Sequence, residues 1–326
     1  MDKRKSIPGP ENQTIPQRSC YVHRGRLPKR AHCSAIRIAL NLSAPKSHSL
    51  CRTFRPDQTL TRIPTNMVSD QRVFHYSLLS LYVIAPMTFI ALRFLQAPYG
   101  KHYRPGWGPT IYPPLAWFLM ESPTIWLTLL LISFGLNFSN PKSLVLMSPF
   151  LFHYFHRTCI YPLRLHRNSA RRNTAHGYPI SMLVLAFVFN ILNAYLQARW
   201  VSHYKDYEND GWFWWRFFGG LVVFLGGMAV NIWSDRVLVG LKKEGGGGYK
   251  VPRGGWFELV SCPNYLGEIV EWLGWAVMTW SWVGLGFFLF TCANLVPRAL
   301  ANHRWYLEKF GEDYPKGRKA VIPFLY

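Results

Sequence analysis

The sequence predicts an all-α integral membrane protein: a seven-transmembrane-helix bundle with a cytosolic C-terminal tail. Three observations carry that prediction. After Met67 the chain is a succession of apolar runs at or near membrane-spanning length. Tryptophan and tyrosine crowd the ends of those runs (Trp107, Tyr112, Trp200, Tyr204, Trp212, Trp214 and Trp215), as aromatic residues at a lipid–water boundary do. Lysine and arginine fall mainly on alternate connections, which orients the bundle.

The expected spans cover about 74–95, 113–134, 146–163, 178–198, 212–234, 265–281 and 282–297. The last two are short, and Ser281 with Gly284 and Gly286 marks the expected break between them. Connections 96–112, 164–177 and 235–264, with the tail after 297, carry 17 Lys and Arg; the opposite connections hold only Lys142, Arg199 and Lys205. The positive-inside rule then places the C-terminus in the cytosol and Met67 in the lumen.

Residues 1–66 stand apart. They carry 13 basic against 3 acidic residues, are rich in Arg, Ser and Pro, and lack a strong amphipathic period. They are read as a basic, disordered N-terminal extension, with 67–326 as the membrane-embedded domain. Part of the composition resembles an organelle transit peptide. A lumenal extension with a net charge of +10 fits the positive-inside rule badly. The extension is therefore expected to be removed or not made, or else the helix count falls to six.

The formal net charge of +21 would suit a nucleic-acid partner. Past residue 67, however, the charges sit in short connections between apolar runs, where they report topology. No nucleic-acid partner is expected. Cys20, Cys33, Cys51, Cys159, Cys262 and Cys292 form no CxxC pair and no zinc-like spacing, so neither a disulfide framework nor a metal is indicated.

Ionisable residues inside lipid mark function by default, since a carboxylate at the bilayer centre costs at least ~2.5–3.5 kcal/mol on insertion scales. Helical geometry sorts four groups onto faces. Asn264, Glu268 and Glu271 stand at i, i+4 and i+7. Asn231, Asp235 and Lys242 stand at i, i+4 and i+11, provided the fifth helix continues into the cytosol. Arg298, Asn302 and Tyr306 stand at i, i+4 and i+8. All three lie near expected cytosolic helix ends. Together they suit a polar, phosphate-bearing ligand reached from the cytosol; each alone could equally be helix-to-helix glue.

The fourth group begins with Glu121, the only charged residue of the second span. Its protonated form suits such a site and can donate a hydrogen bond. The third span is expected to open with HYFHRT, 153–158, where Tyr154 and Arg157 are neighbours one turn apart. His153 and His156 could be a metal pair, but no third ligand has sensible spacing, and packed histidines are the plainer reading. No dinucleotide or P-loop fingerprint occurs. The glycine-rich run EGGGGYKVPRGGWF, 244–257, is a linker or a loop able to fold over a ligand.

The motifs AWFLME, HYFHRTCIYPLR, NIWSD, GGYKVPRGGWFELVSCPNYLGEIVEW and HRWYLEKFGEDYPKGRKAVIPFLY, in that order, resemble the steroid 5α-reductases. FLQAPYGKH and QARWVSHYKDYE are similar to the plant branch, the de-etiolated-two type of brassinosteroid biosynthesis. The resemblance runs from about Met67 to Tyr326. It implies a seven-helix, multi-pass enzyme of the endoplasmic reticulum membrane. It implies NADPH-dependent reduction of the 4,5 double bond of a 3-oxo-Δ4-steroid taken from the bilayer, of campest-4-en-3-one type. It implies that Glu121 and Tyr154 hold the 3-keto oxygen. Asn231, Asp235, Lys242, Asn264, Glu268, Arg298 and Tyr306 match NADPH-site positions, and Tyr99 matches another pocket residue. Glu268 is expected to meet the cofactor or fix a neighbour that does. Glu271, one turn deeper, is expected to brace Arg or Asn side chains of adjacent helices; Arg157 is counted with the pocket. Met120 stands where animal members have Gln, and Lys242 where they have Arg, which loses the bidentate fork.

Three other readings compete. The final third also resembles trans-2-enoyl-CoA reductases of very-long-chain fatty acid elongation, but AWFLME and HYFHRT favour the steroid enzymes. Membrane methyltransferases of prenylated cysteine share the layout and would need S-adenosylmethionine. A sterol transporter or receptor could use the same polar groups, though no inverted repeat is visible.

Overall fold

The computed structural model describes residues 65–169, 177–244 and 249–325, with side chains over 69–167, 177–241 and 249–325. Thr61–Tyr326 forms one compact unit. All but the last two residues of the expected 1–66 extension lie outside the described residues.

Among the described residues the chain is helical apart from short connections. Helix α1 spans Thr65–Phe94, α2 Pro113–Glu121, α3 Pro123–Ser133, α4 Pro141–Phe155 and α5 Tyr161–Ser169. Helix α6 spans Ile180–Arg199, α7 Phe213–Glu244, α8 Pro263–Thr279 and α9 Trp282–Phe310. A small antiparallel ribbon pairs β1 (Thr110–Ile111) with β2 (Tyr178–Pro179), tying the start of α2 to the start of α6. Among the described residues, five helical stretches are long and apolar enough to cross a membrane: 69–94, 113–133, 180–204, 213–241 and 282–313. The chain is therefore an all-α, multi-pass membrane protein. The α4–α5 stretch and α8 fall outside that set. Each expected span nevertheless overlaps a helix. Large apolar side chains point outward, among them Tyr76, Met87, Leu129, Leu185, Val188 and Val222, as a lipid-facing surface requires.

Helix boundaries differ from the sequence expectation in ways the residues explain. The second span is two helices, because Pro123 has no N–H to donate to the Leu119 carbonyl. Ser122 Oγ satisfies that carbonyl instead, at 2.9 Å. HYFHRT does not open the third span. The helix begins at Pro141, capped by Asn140, and 153–158 run from the end of α4 into a π-helical turn over His156–Ile160. That turn lies just before Pro162, where the regular ladder lacks a donor. Helix α8 ends on Trp280 in the left-handed region (φ 46°), and Ser281 caps α9 by accepting from Gly284 N at 3.0 Å. Gly284 and Gly286 thus lie inside α9, not at the break. Helices α7 and α9 both run past the expected span ends, which keeps their polar stripes on continuous helical faces.

The closest packing joins α7 and α8. Gly220 and Gly227 on α7 face Gly274 and Gly267 on α8. A Cβ on Gly227 would meet Glu271 N at 2.3 Å, and one on Gly274 would meet Phe224 N at 2.4 Å. No side chain can rotate out of such a clash, because the obstacle is backbone. Small residues thus bring the two backbones together, as in other lipid-embedded helix pairs. Elsewhere, Asp70 on α1 is gripped by Arg199 and Tyr204, and by Tyr195 at 3.2 Å, fixing the start of α1 to the end of α6. After α9 the tail folds back onto the segment leading into α8. Ser261 N donates to Lys319 O at 2.8 Å, and Ser261 Oγ lies 2.6 Å from both His303 Nδ1 and Tyr314 OH.

Gly227→Val and Gly274→Val are expected to lower the thermal unfolding temperature of the detergent-solubilised protein, since overpacking costs about 1–3 kcal/mol or more. Gly219→Ala and Gly226→Ala, where nothing lies within 4 Å of the added carbon, are expected to leave it unchanged or raised.

Candidate active site

The α7–α8 contact sets two polar stripes against each other. Asn231 Nδ2 donates to the Asn264 carbonyl at 2.9 Å and to Glu268 Oε2 at 3.4 Å. Asn264 Nδ2 donates to Asp235 Oδ1 at 3.1 Å. Asp235 Oδ2 accepts from Arg157 in the π-turn, also at 3.1 Å. The Arg157 guanidinium lies over the rings of Trp117 and Tyr161, each 4.8 Å away. Glu268, Asn231, Asn264, Asp235 and Arg157 are thus one network drawn from three elements. Asn231, Asp235 and Arg157 are buried; Asn264 and Glu268 keep part of their surface open. A cavity of about 210 Å³ lies beside Asp235, lined by Tyr161, Arg164, Arg236, Val239 and Gly240.

Glu121 and Tyr154 are each held by an amide of helix α6. Asn190 Nδ2 donates to the Met120 carbonyl at 2.6 Å and to Glu121 Oε2 at 3.3 Å. One turn along α6, Asn193 Nδ2 donates to the Tyr154 hydroxyl at 3.2 Å. Arg157 and Glu268 both act electrostatically on Glu121 and on Tyr154. Aromatic rings close the site: Tyr154 packs on Phe150 at 4.7 Å, His153 at 4.9 Å and Trp272 at 5.7 Å. Met120 is buried among α2 and α6 residues, and its carbonyl, not its side chain, makes the hydrogen bond.

Glu271 departs from expectation. Its partner is neither Arg nor Asn: Oε1 lies 2.7 Å from His153 Nδ1, and both side chains are buried. The reason is register. Glu271 faces the end of α4, where His153 points inward beside Trp272. The packed-histidine reading therefore understates His153. His156 Nε2 stands 3.4 Å from Arg164.

The α9 stripe holds a different neighbourhood. Arg298 donates to the Tyr99 hydroxyl at 2.6 Å, and the Tyr99 ring packs on Tyr178 at 4.9 Å. Asn302 Oδ1 lies 3.0 Å from His102 Nε2. Burial, opposed by that bond, holds the His102 imidazole below its ordinary pKa. Tyr306 meets the tail rather than the α7–α8 seam: its ring stacks on Tyr314 at 5.3 Å, and Lys101 sits 4.0 Å over it. The side chain of Lys242 lies outside the described residues, as do Gly245–Gly248 of the glycine-rich run. Beyond them Gly255, with φ of 49°, packs against the Trp233 ring, where a Cβ would come within 2.7 Å.

The sequence reading missed Asn190, Asn193 and Gln197. They stand at i, i+3 and i+7 in an apolar span, the same signal that exposed the other stripes. It also missed His153 as a partner for Glu271 and Trp117 as a cover for Arg157.

A family model described as 3-oxo-5-alpha-steroid 4-dehydrogenase matches residues 176–326. Steroid 5-alpha-reductase DET2 of Gossypium hirsutum is 70% identical over 261 residues, covering 80% of this chain and 100% of the relative. The protein of that name from Arabidopsis thaliana is 66% identical over 262 residues, covering 79% and 99%. The human 3-oxo-5-alpha-steroid 4-dehydrogenase 1 is 39% identical over 249 residues, covering 73% and 90%. The chain belongs to the steroid 5-alpha-reductase family. It is an oxidoreductase of steroid metabolism, as the sequence resemblance implied.

Asp235→Leu would strand the buried Arg157 charge, and removing one partner of such a pair costs about 3–5 kcal/mol. Thermal unfolding is expected to show that loss. Replacing both partners, Arg157→Met with Asp235→Leu, is expected to recover part of the stability, the Asn264 amide still lacking its acceptor, without recovering turnover.

Proposed function

We propose that this chain reduces the 4,5 double bond of a 3-oxo-Δ4-steroid with NADPH, acting on a campest-4-en-3-one type substrate in brassinosteroid biosynthesis. The observation that carries the reading is the pairing of Glu121 and Tyr154, each backed by an α6 amide, beside a seam of amides and carboxylates. The plant relatives carry the name steroid 5-alpha-reductase, which supports the substrate class.

The donor set fits a nicotinamide nucleotide. Amides and carboxylates at Asn231, Asn264 and Glu268 suit its polar rings and ribose hydroxyls. Arg298 keeps a buried Nε with no partner among the described residues, and cations suit phosphate. Asn231, Asp235, Lys242, Asn264, Glu268, Arg298 and Tyr306 would hold the cofactor, with Tyr99 positioning Arg298. When bound, NADPH supplies a hydride to C5 of the enone.

The chain's own residues answer the charge that develops. As C5 is reduced, negative charge builds on the 3-oxygen of the steroid. Tyr154 donates its O–H to that oxygen, and Glu121, in its protonated form, donates a second hydrogen bond. Both donors are fixed before the reaction, so no reorganisation is needed as the charge appears. Trp272 and Phe150 exclude water from Tyr154, which strengthens the interaction. A proton taken up at C4 completes the reduction. A flat apolar steroid would arrive from the bilayer between helices, and the nucleotide from the polar end of the α7–α8 seam.

The same reading extends to topology. We propose seven crossings, with α4–α5 and α8 as the shorter two, a cytosolic C-terminus, and residence in the endoplasmic reticulum membrane. Residues 67–326 are the catalytic domain; all but the last two of residues 1–66 lie outside the described residues.

Loss of NADPH absorbance in membranes given campest-4-en-3-one, but not an enoyl-CoA, tests the assignment. Tyr154→Phe and Glu121→Leu are each expected to lower kcat roughly 10²–10³-fold, as loss of one oxyanion donor does, with little change in the KM for NADPH. Glu268→Ala is expected to raise that KM; an unchanged value removes Glu268 from the cofactor site.

A further inference from the structure

A hydroxyl helps an oxyanion only if its proton points forward. Tyr154 could instead turn its O–H back toward a side-chain acceptor, and the ketone would then meet the phenol's lone pairs. What lies behind Tyr154 decides between these states.

Three buried side chains form a chain of hydrogen bonds there, and its direction is determined. Trp275 Nε1 lies 2.9 Å from Gln197 Oε1. An indole N–H can only donate, so the Gln197 atom facing it is oxygen. The Gln197 NH₂ must then face the other way. It donates to Asn193 Oδ1 at 3.1 Å and approaches the backbone carbonyl of Val283 at 3.4 Å, a group that can only accept. With its oxygen engaged by Gln197, Asn193 presents its NH₂ to Tyr154, at 3.2 Å. The phenol oxygen therefore accepts from behind, and its own proton is left for the opposite side. Trp275, Gln197 and Asn193 are each fully buried, so water cannot substitute for any link.

We propose that Asn193, Gln197 and Trp275 are positioning residues that fix the donor direction of the Tyr154 hydroxyl. None of them touches the reacting atoms. The indole sets the Gln197 amide, the Gln197 amide sets the Asn193 amide, and the Asn193 amide sets the phenol. Asn190 plays the parallel part for Glu121: the Met120 carbonyl can only accept, so the Asn190 NH₂ faces Glu121 Oε2. That leaves Oε1 as the oxygen to carry the acid proton toward substrate. One face of α6 thus aims both donors, and inverting any amide would turn a donor into an acceptor at the ketone. This inference rests on the reading of Tyr154 as a donor to the 3-oxygen.

A double-mutant cycle tests it with the full-length enzyme in membranes. Asn193→Leu, Gln197→Met and Trp275→Phe are made alone and in a Tyr154→Phe background. Alone, Asn193→Leu is expected to lower kcat about tenfold or more, and the two more distant changes about three- to tenfold, with the KM for NADPH within about twofold of wild type. In the Tyr154→Phe background, where no hydroxyl remains to be aimed, each is expected to change kcat by less than about twofold. An equal loss in both backgrounds would mean the chain only packs the core, and no loss in the wild-type background would mean direction is set elsewhere; either result overturns the inference. Trp275→Phe keeps a ring in place and serves if Asn193→Leu does not accumulate folded. Full turnover in Tyr154→Phe itself would instead sink the underlying reading of the phenol.

Discussion

The structure depends on the contact between the backbones of α7 and α8. Four glycines, spaced seven apart on each helix, let two antiparallel helices meet with no side chain between them. That approach brings Asn231 and Asp235 within hydrogen-bond reach of Asn264 and Glu268. A separation larger by one methyl group would break every one of those bonds, since a hydrogen bond has little tolerance beyond about 3.2–3.5 Å. In lipid, water cannot repair the loss, so packing and polar satisfaction are a single requirement here.

The remaining elements complete the seam rather than create it. The π-turn inserts Arg157 against Asp235, and the end of α4 sets His153 beside Glu271. The kink at Pro123 ends α2 on Glu121, so this carboxyl stands at a break and not along a helix side. Helix α6 then supplies amides to both donors from a single face. Arg157 is paired with Asp235 and His153 with Glu271, while the amides are held in directional chains. This suits the proposed reaction, in which charge has to be stabilised only as it develops.

Much of the site was legible in the sequence because burying charge in an apolar run is expensive, so Glu268, Asp235 and Glu121 each demanded a purpose. Helical periodicity then grouped Asn231 with Asp235, and Asn264 with Glu268. What periodicity cannot give is which faces meet. Glu271 and His153 are 118 residues apart, and nothing local links them. The amides of α6 were overlooked for a different reason: Asn and Gln carry no charge, so they barely disturb an apolar average, although their spacing was as regular as that of the other stripes. The glycine spacing on α7 and α8 was likewise visible, but glycine in a helix reads as weakness until a partner backbone is seen against it. The placement of HYFHRT turned on Pro162 and the helix start at Pro141, which hydropathy does not weigh.

The most direct test is a structure of the enzyme with an NADPH analogue and a Δ4-3-ketosteroid bound together. The account requires the nicotinamide to lie against Asn231, Asn264 and Glu268, with the steroid's 3-oxygen within hydrogen-bond distance of Tyr154 and Glu121. A nucleotide bound away from the α7–α8 seam, or a ketone turned away from that phenol and acid, would contradict it.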